Sequence, residues 1–160
     1  MMRVRSNLRQ MITPNENSHS NTQPNLPQTP AVTQTRSTRG TILLVEDDRS
    51  IRRYLEVILQ RAGYTVVSAG DGLEAMKAAL SNTLDAVVTD AIMPHLNGYE
   101  LCRFLRRHPK MSQLPVILLS GIERADSSQE EEMRADVYLS KPVRPEELTG
   151  SIARLLLKAA

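Results

Sequence analysis

From Thr41 onwards, short runs rich in β-branched residues alternate with longer segments whose apolar residues recur at helical spacing, and the alternation repeats five times. The predicted strands lie at 41–46, 64–69, 85–90, 115–120 and 136–140. Strands that alternate with helices in this way form parallel sheets with helices on both faces. The sequence therefore predicts an α/β fold, a doubly wound five-stranded parallel sheet flanked by five helices.

Four of the five segments between or after the strands have a clear apolar stripe. The stripes are Ile51, Leu55, Ile58 and Leu59; Leu73, Met76 and Leu80; Leu101, Phe104 and Leu105; and Leu148, Ile152, Leu155 and Leu156. The last helix is predicted to begin at Pro145, which suits a first helical turn. The remaining segment, around 123–134, has a poor apolar face, and we expect a marginal, exposed and mobile helix there.

Residues 12–38 consist mainly of Asn, Thr, Ser, Gln and Pro and have almost nothing apolar to bury, so they cannot offset the entropy of ordering. We predict a disordered basic tail over residues 1–39 and a single domain over residues 40–160. The net charge of +2 arises in the tail, because residues 40–160 carry 15 basic and 17 acidic side chains. A nucleic-acid-binding domain would concentrate positive charge on itself, so we expect no direct nucleic acid binding.

Cys102 is the only cysteine, which excludes an intramolecular disulfide, and its helical context predicts a small buried apolar side chain rather than a reactive thiol. No apolar run is long enough to predict a membrane span, and the polar N-terminus lacks the apolar stretch of a secretion signal. We expect a cytoplasmic protein.

Polar side chains occur where several of the predicted strands end. They are the acidic run Glu46, Asp47 and Asp48, then Asp90, Ser120 and Lys141. The carboxyl ends of parallel strands share one crevice, so residues distant in sequence can meet there on one ligand. We therefore expect these side chains to converge on a common site.

The residue types suggest phosphoryl chemistry. Asp48 is the simplest candidate to cap the following helix, since capping needs only one carboxylate. The other acids would repel one another unless a cation neutralised them, and Mg²⁺ prefers such oxygen ligands. A carboxylate beside a divalent cation, here Asp90, can attack a phosphoryl group. Lys141 and Ser120 would supply a positive charge and a hydroxyl donor for phosphoryl oxygens.

Residues 41–158 closely resemble the receiver domain of bacterial two-component response regulators, the CheY-like family. The resemblance rests on four segments, 43–48 (LLVEDD), 90–98 (DAIMPHLNG), 115–121 (PVILLSG) and 138–142 (YLSKP), which agree with the family in order and spacing. It implies the flavodoxin-like (βα)₅ form of the predicted fold. It also implies a signalling module of a two-component phosphorelay.

The resemblance implies a role for each residue of the predicted site. Asp90 would accept a phosphoryl group from a sensor histidine kinase or a histidine phosphotransfer protein. Glu46 and Asp47, with Asp90 and the backbone carbonyl of Ile92, would hold Mg²⁺. Lys141 would contact the phosphate. Such a domain assists its own phosphorylation and dephosphorylation, but it is not an enzyme with a separate substrate.

The resemblance further implies a conformational switch. Ser120 would move to bond the phosphoryl group, and Tyr138 would turn inward to fill the vacated space. The response surface would consist of the fourth helix, the fifth strand and the fifth helix, and it would bind a protein output partner. The same resemblance allows a cis Lys141–Pro142 peptide bond.

Two positions depart from the family pattern: Arg134 stands where Gly is common, and Ile92 places an apolar side chain beside the acceptor. They leave open an alternative, a pseudo-receiver that docks a partner without being phosphorylated. An aspartyl-phosphate hydrolase would need a second acid and a substrate pocket, which the sequence does not indicate. We expect a phosphorylation-dependent switch without an attached output domain, because nothing outside residues 40–160 is predicted to fold.

Overall fold

A computed structural model of the chain describes residues 38–121 and 134–159. All of them belong to a compact unit spanning Arg36–Ala160. The predicted tail lies outside the described residues except for Thr38 and Arg39, and the predicted helix around 123–134 lies outside them except for Arg134. The predictions of a disordered tail, of its boundary and of a mobile fourth helix therefore remain predictions.

The described residues contain one sheet of five parallel strands in the order β2-β1-β3-β4-β5. The strands are β1 (Thr41–Val45), β2 (Thr65–Ala69), β3 (Ala86–Asp90), β4 (Val116–Ser120) and β5 (Val137–Ser140). Each lies within one residue of its predicted bounds. The central strand β3 is buried along its whole length, as expected of a parallel strand covered on both faces.

Four helices lie within the part of the chain that the structure describes. They are α1 (Arg49–Arg61), α2 (Gly72–Ser81), α3 (Gly98–Arg107) and α4 (Pro145–Ala159). The first three begin at polar caps, since the side chains of Asp48, Asp71 and Asn97 accept backbone N–H groups of the first turn. The prediction that Asp48 caps the first helix is thus confirmed.

Two apolar cores, one on each face of the sheet, confirm the doubly wound arrangement. One core packs Leu55 and Leu59 of α1 with Leu148 and Ile152 of α4 against the sheet. The other packs the inner faces of α2 and α3 and contains Cys102, which is fully buried as predicted. Burial raises the pKa of the Cys102 thiol to about 12.

The apolar stripe predicted for the second helix contacts the core only through Met76, and the prediction was wrong for Leu73 and Leu80. Leu73 and Leu80 are 57% and 60% exposed, whereas Ala75 and Ala79 are buried against the sheet. The physical reason is close packing on this side: a Cβ added at Gly72, the first residue of α2, would clash with Leu96. Small side chains therefore occupy the inner face of α2, and the large ones remain outside.

None of the helices within residues 38–121 and 134–159 has the length and hydropathy that a membrane crossing requires. The Lys141–Pro142 peptide bond is cis, as the family resemblance allowed.

Candidate functional site

The backbone brings three strand ends together at one edge of the sheet. Asp90 ends β3, and the N–H of the next residue donates to the carbonyl of Leu119 in β4. Lys141 follows β5, and its N–H donates to the carbonyl of Ser120 at 2.8 Å. Glu46 follows β1, which pairs directly with β3. The parallel register thus places these side chains beside one another.

The Lys141 ammonium joins two buried carboxylates. Its Nζ lies 2.7 Å from Oε2 of Glu46 and 2.8 Å from Oδ2 of Asp90. Glu46 is 1% exposed and Asp90 8% exposed, so both acids depend on this single cation within the described residues. Groups 51 and 95 positions apart in sequence meet here, as the strand-end pattern predicted.

Asp47 completes a group of three acids. Carboxylate oxygens of Glu46, Asp47 and Asp90 all lie within 4.8 Å of one another, and Asp47 is exposed to solvent. Three carboxylates and one ammonium leave the site with an excess of negative charge. Oxygen donors at this spacing, open to solvent on the side of Asp47, suit a hard divalent cation such as Mg²⁺.

Burial and charge act on the titrating groups in opposite directions. Burial raises the pKa of Glu46 above its ordinary value, the nearby Asp90 charge adds to the rise, and the Lys141 hydrogen bond opposes it. For Lys141, burial is the largest influence and lowers the pKa, but the hydrogen bonds and charges of Asp90 and Glu46 together outweigh it. The pKa of Lys141 is therefore raised, and the ammonium stays protonated at neutral pH.

Local hydrogen bonds hold the acidic loop after β1 in place. The Asp48 carboxylate caps α1 by accepting from Ser50 and Ile51 at 2.7 and 2.9 Å. The Arg52 guanidinium donates to the backbone carbonyls of Glu46 and Asp47, which fixes the loop from the first turn of α1. The role of Arg52 was not predicted, although a basic residue one turn after an acidic helix start was a visible signal.

Two backbone features near Asp90 were also missed. Oδ1 of Asp90 accepts the N–H of Ile92 at 3.2 Å, so this carboxylate has a partner on each oxygen. Gly98 packs against the strand end so closely that an added Cβ would lie 2.1 Å from the Asp90 carbonyl oxygen. Gly98 stood within a quoted motif, but only the folded backbone reveals the close approach that requires glycine.

The remaining predicted residues lie around the site. Ser120 ends β4 beside the end of β3, and Ile92 is 65% exposed in the loop after Asp90. Tyr138 is not among the carboxylates: its ring is 41% exposed, and its hydroxyl accepts the N–H of Ala135 at 3.1 Å. Tyr138 thus lies outward in this structure.

Comparison with known families shows which family this fold belongs to. Residues 42–153 match the family described as the response regulator receiver domain. The chain belongs to this family. Receiver domains act in two-component signalling, bind Mg²⁺ at an acidic site and interact with histidine kinases. The predicted family and fold are therefore confirmed.

Curated relatives of this receiver include longer proteins that are named transcriptional regulators. The transcriptional regulatory protein GltR of Pseudomonas aeruginosa is 38% identical over 119 residues, which cover 74% of this chain and 49% of that protein. The alkaline phosphatase synthesis transcriptional regulatory protein PhoP of Bacillus subtilis is 36% identical over 119 residues, with the same coverage of 74% and 49%. The receiver chain thus spans about half the length of these relatives.

Solved receiver structures match nearly over their full length. The chemotaxis response regulator CheY4 of Vibrio cholerae has a TM-score of 0.66 at 30% identity, covering 74% of this chain and 99% of that one. The receiver domain of the sensor histidine kinase PA1611 from Pseudomonas aeruginosa, solved with magnesium coordinated in its active site cleft, has a TM-score of 0.64 at 29% identity. That match covers 73% of this chain and 97% of that one.

Proposed function

We propose that this receiver is a phosphorylation-dependent switch that accepts a phosphoryl group on Asp90 from a sensor histidine kinase or a histidine phosphotransfer protein. The observation that carries this proposal is the Lys141 ammonium, 2.8 Å from Asp90 and 2.7 Å from Glu46, in a group of three acids. Buried acids that share one cation are a costly arrangement for stability alone, and perturbed groups of this kind concentrate at functional sites.

In the transfer step, one Asp90 carboxylate oxygen attacks phosphorus while the bond between phosphorus and the donor imidazole breaks, and the electron pair leaves with the imidazole. Glu46, Asp47, Asp90 and the backbone carbonyl of Ile92 would hold Mg²⁺, which supplies positive charge against the repulsion between these acids and the incoming phosphoryl oxygens. Lys141 remains protonated and contacts a phosphoryl oxygen. The magnesium-bound receiver domain of PA1611 supports this assignment.

The switch would run through Ser120 and Tyr138. A hydrogen bond from the Ser120 hydroxyl to the phosphoryl group would draw the end of β4 towards Asp90. Tyr138, now outward with its hydroxyl bonded to Ala135, would turn inward and exchange that bond for a buried position. The surface formed by the predicted fourth helix, β5 and α4 would change in response and bind a protein output partner.

We infer that the receiver itself acts on proteins in the cytoplasm and does not contact nucleic acid. Residues 40–160 carry two more acidic than basic side chains, 17 against 15, so phosphate backbones would be repelled overall. Several relatives are named transcriptional regulators, but this chain spans only about half of their length. The cognate kinase and the output partner would be identified by binding experiments.

The proposal is tested by incubating the protein with Mg²⁺ and a small acyl phosphate and measuring its intact mass. Wild type should gain one phosphoryl group, Asp90→Asn none, and Lys141→Ala much less than wild type. Glu146→Gln, which removes an exposed acid on α4, is the matched control and should react like wild type. An unmodified wild type under conditions that phosphorylate a known receiver would refute the proposal. If a partner bound wild type and Asp90→Ala equally, the pseudo-receiver alternative would stand instead.

A further inference from the structure

Helix α2 has a second apolar face that contacts the core only through Met76. Leu73, Met76 and Leu80 are spaced three and four residues apart, so they share one side of the helix. The inner side of α2 is already filled by Ala75 and Ala79. Leu73 and Leu80 are more than half exposed, and Met76 is half-buried. Large apolar side chains in a row on the outside of a helix are typical of an interaction surface.

Met76, the middle residue of this stripe, lies at a groove between α2 and α3 of about 370 Å³. Met76 lines the groove from α2, Phe104 lines it from α3, and Leu96 lines it from the loop between β3 and α3. We call the set of Leu73, Met76, Leu80, Leu96 and Phe104 the α2–α3 surface. Its length of at least two helical turns and its apolar floor suit a helix laid into a groove.

The rim of the α2–α3 surface is basic. Arg103 and Arg107, one turn apart on α3, both line the groove. The groove's one acid, Glu100, is engaged in the capping box at the start of α3. This basic rim is a local feature, because residues 40–160 as a whole are slightly acidic.

His108 closes the groove at the end of α3. Its ring lies 6.2 Å from the ring of Phe104, and its Nδ1 atom is buried without a hydrogen-bond partner among the described residues. A buried ring nitrogen without a partner is costly.

We propose that the α2–α3 surface binds an acidic amphipathic helix of a protein partner, separately from the phosphorylation site. The apolar face of that helix would cover Leu73, Met76 and Leu80, and its acidic side chains would face Arg103. Charge complementarity selects this occupant. A second copy would bring two basic rims together, and residues 1–39 carry five Arg and one Glu, so the tail would be repelled as well.

The test uses three labelled synthetic peptides of equal length. One is a helix with a leucine stripe flanked by glutamates, the second replaces the glutamates with lysines, and the third scrambles the first. Fluorescence anisotropy measures affinity, and amide chemical shifts of the isotope-labelled chain locate the contact. The glutamate peptide should bind and shift residues of α2 and α3, and the other two should bind far more weakly.

Variants of the protein distinguish binding at the α2–α3 surface from non-specific binding elsewhere. Arg103→Glu, and separately Leu73→Ser with Leu80→Ser, should each weaken binding of the glutamate peptide about tenfold or more. Arg154→Glu and Leu157→Ser, exposed positions on α4, are the matched controls and should leave binding unchanged. The proposal is overturned by equal binding of all three peptides, by shifts confined to β5 and α4, or by no detectable binding. Self-association that Leu73→Ser with Leu80→Ser abolishes would also overturn it.

Discussion

We expect Asp90→Asn to unfold at a higher temperature than wild type when metal is removed with EDTA. Oxygens of Asp90 and Glu46 lie within 4.8 Å, both residues are buried, and both share the Lys141 ammonium. Asparagine keeps the shape and an oxygen that accepts from Lys141, but it removes one negative charge. The substitution therefore relieves repulsion without opening a cavity.

The magnitude follows from the distances. Two like charges at the outer limit of 4.8 Å repel by about 3.5 kcal/mol at an effective dielectric constant near 20. Against this gain, the substitution loses the attraction between Asp90 and the Lys141 ammonium at 2.8 Å, which is about 6 kcal/mol on the same scale. It also removes the cost of burying the Asp90 charge, which is several kcal/mol and offsets most of that loss. Solvent screens the repulsion from exposed Asp47, so it adds little. The net stabilisation is about 1–2 kcal/mol, which raises Tm by roughly 4–8 °C in a domain of this size.

The assay is thermal unfolding followed by circular dichroism, in EDTA and at increasing Mg²⁺. Binding to the native state stabilises wild type by about 1.4 kcal/mol at ten times the dissociation constant. Asp90→Asn lacks one of the proposed ligands, so the difference in Tm should narrow as Mg²⁺ is added. Glu146→Gln controls for the loss of a surface charge. A Tm for Asp90→Asn equal to or below that of wild type in EDTA would refute the idea that repulsion dominates this site.

Three further predictions concern the scaffold. Gly98→Ala should lower the free energy of unfolding by about 2 kcal/mol or more, because its Cβ would meet the Asp90 carbonyl. Gly150→Ala, in open space on α4, should raise it by about 0.5–1 kcal/mol. Chemical denaturation measures both values, and equal changes in the two variants would contradict the close contact of Gly98 with Asp90. The Cys102 thiol, with a pKa of about 12, should resist Ellman's reagent at pH 8 until the protein is unfolded, and rapid reaction of the native state would show that it is accessible. Backbone hydrogen bonds from Ile51 and Ser50 lower the pKa of Asp48 in the folded protein. The charged Asp48 cap therefore stabilises the fold at pH values above the pKa that Asp48 has in the unfolded chain. This stabilisation is lost as the pH falls through the lower pKa of the folded protein. The Tm difference between wild type and Asp48→Ala should therefore be largest near neutral pH and shrink in acid, and a pH-independent difference would exclude a charged cap.

The sequence predicted the sheet well because most of its strands are apolar runs that end at polar residues, and β2 is bounded by Gly63 and Gly70. This pattern located all five strands within one residue and placed Glu46, Asp90 and Lys141 at neighbouring strand ends. It failed on the orientation of α2. Counting large apolar residues assigned Leu73 and Leu80 to the core, but the buried residues of α2 are Gly72, Ala75 and Ala79. The distance between a helix and a sheet is a tertiary quantity, so local periodicity could not reveal it.

The sequence analysis predicted the charged side chains of the candidate site but not its backbone contacts. The backbone contributions to the site were not predicted. The hydrogen bond from the Ile92 N–H to Asp90 and the close contact of Gly98 both depend on how the loop after β3 returns to the strand end. The role of Arg52 was not predicted because its guanidinium donates to backbone carbonyl groups rather than to the neighbouring carboxylates. For Tyr138, the family resemblance implied a side chain that turns inward on phosphorylation. In the structure its side chain lies outward and its hydroxyl accepts the N–H of Ala135.

The most direct test of the proposed function is to locate the phosphoryl group. Protein treated with Mg²⁺ and a small acyl phosphate would be reduced with borohydride, which converts an aspartyl phosphate into homoserine, and then digested and sequenced by mass spectrometry. We predict homoserine at position 90 alone, with none in the Asp90→Asn variant. Homoserine at another acid, or no modification at all in a folded protein supplied with Mg²⁺, would contradict the assignment of Asp90 as the phosphoacceptor.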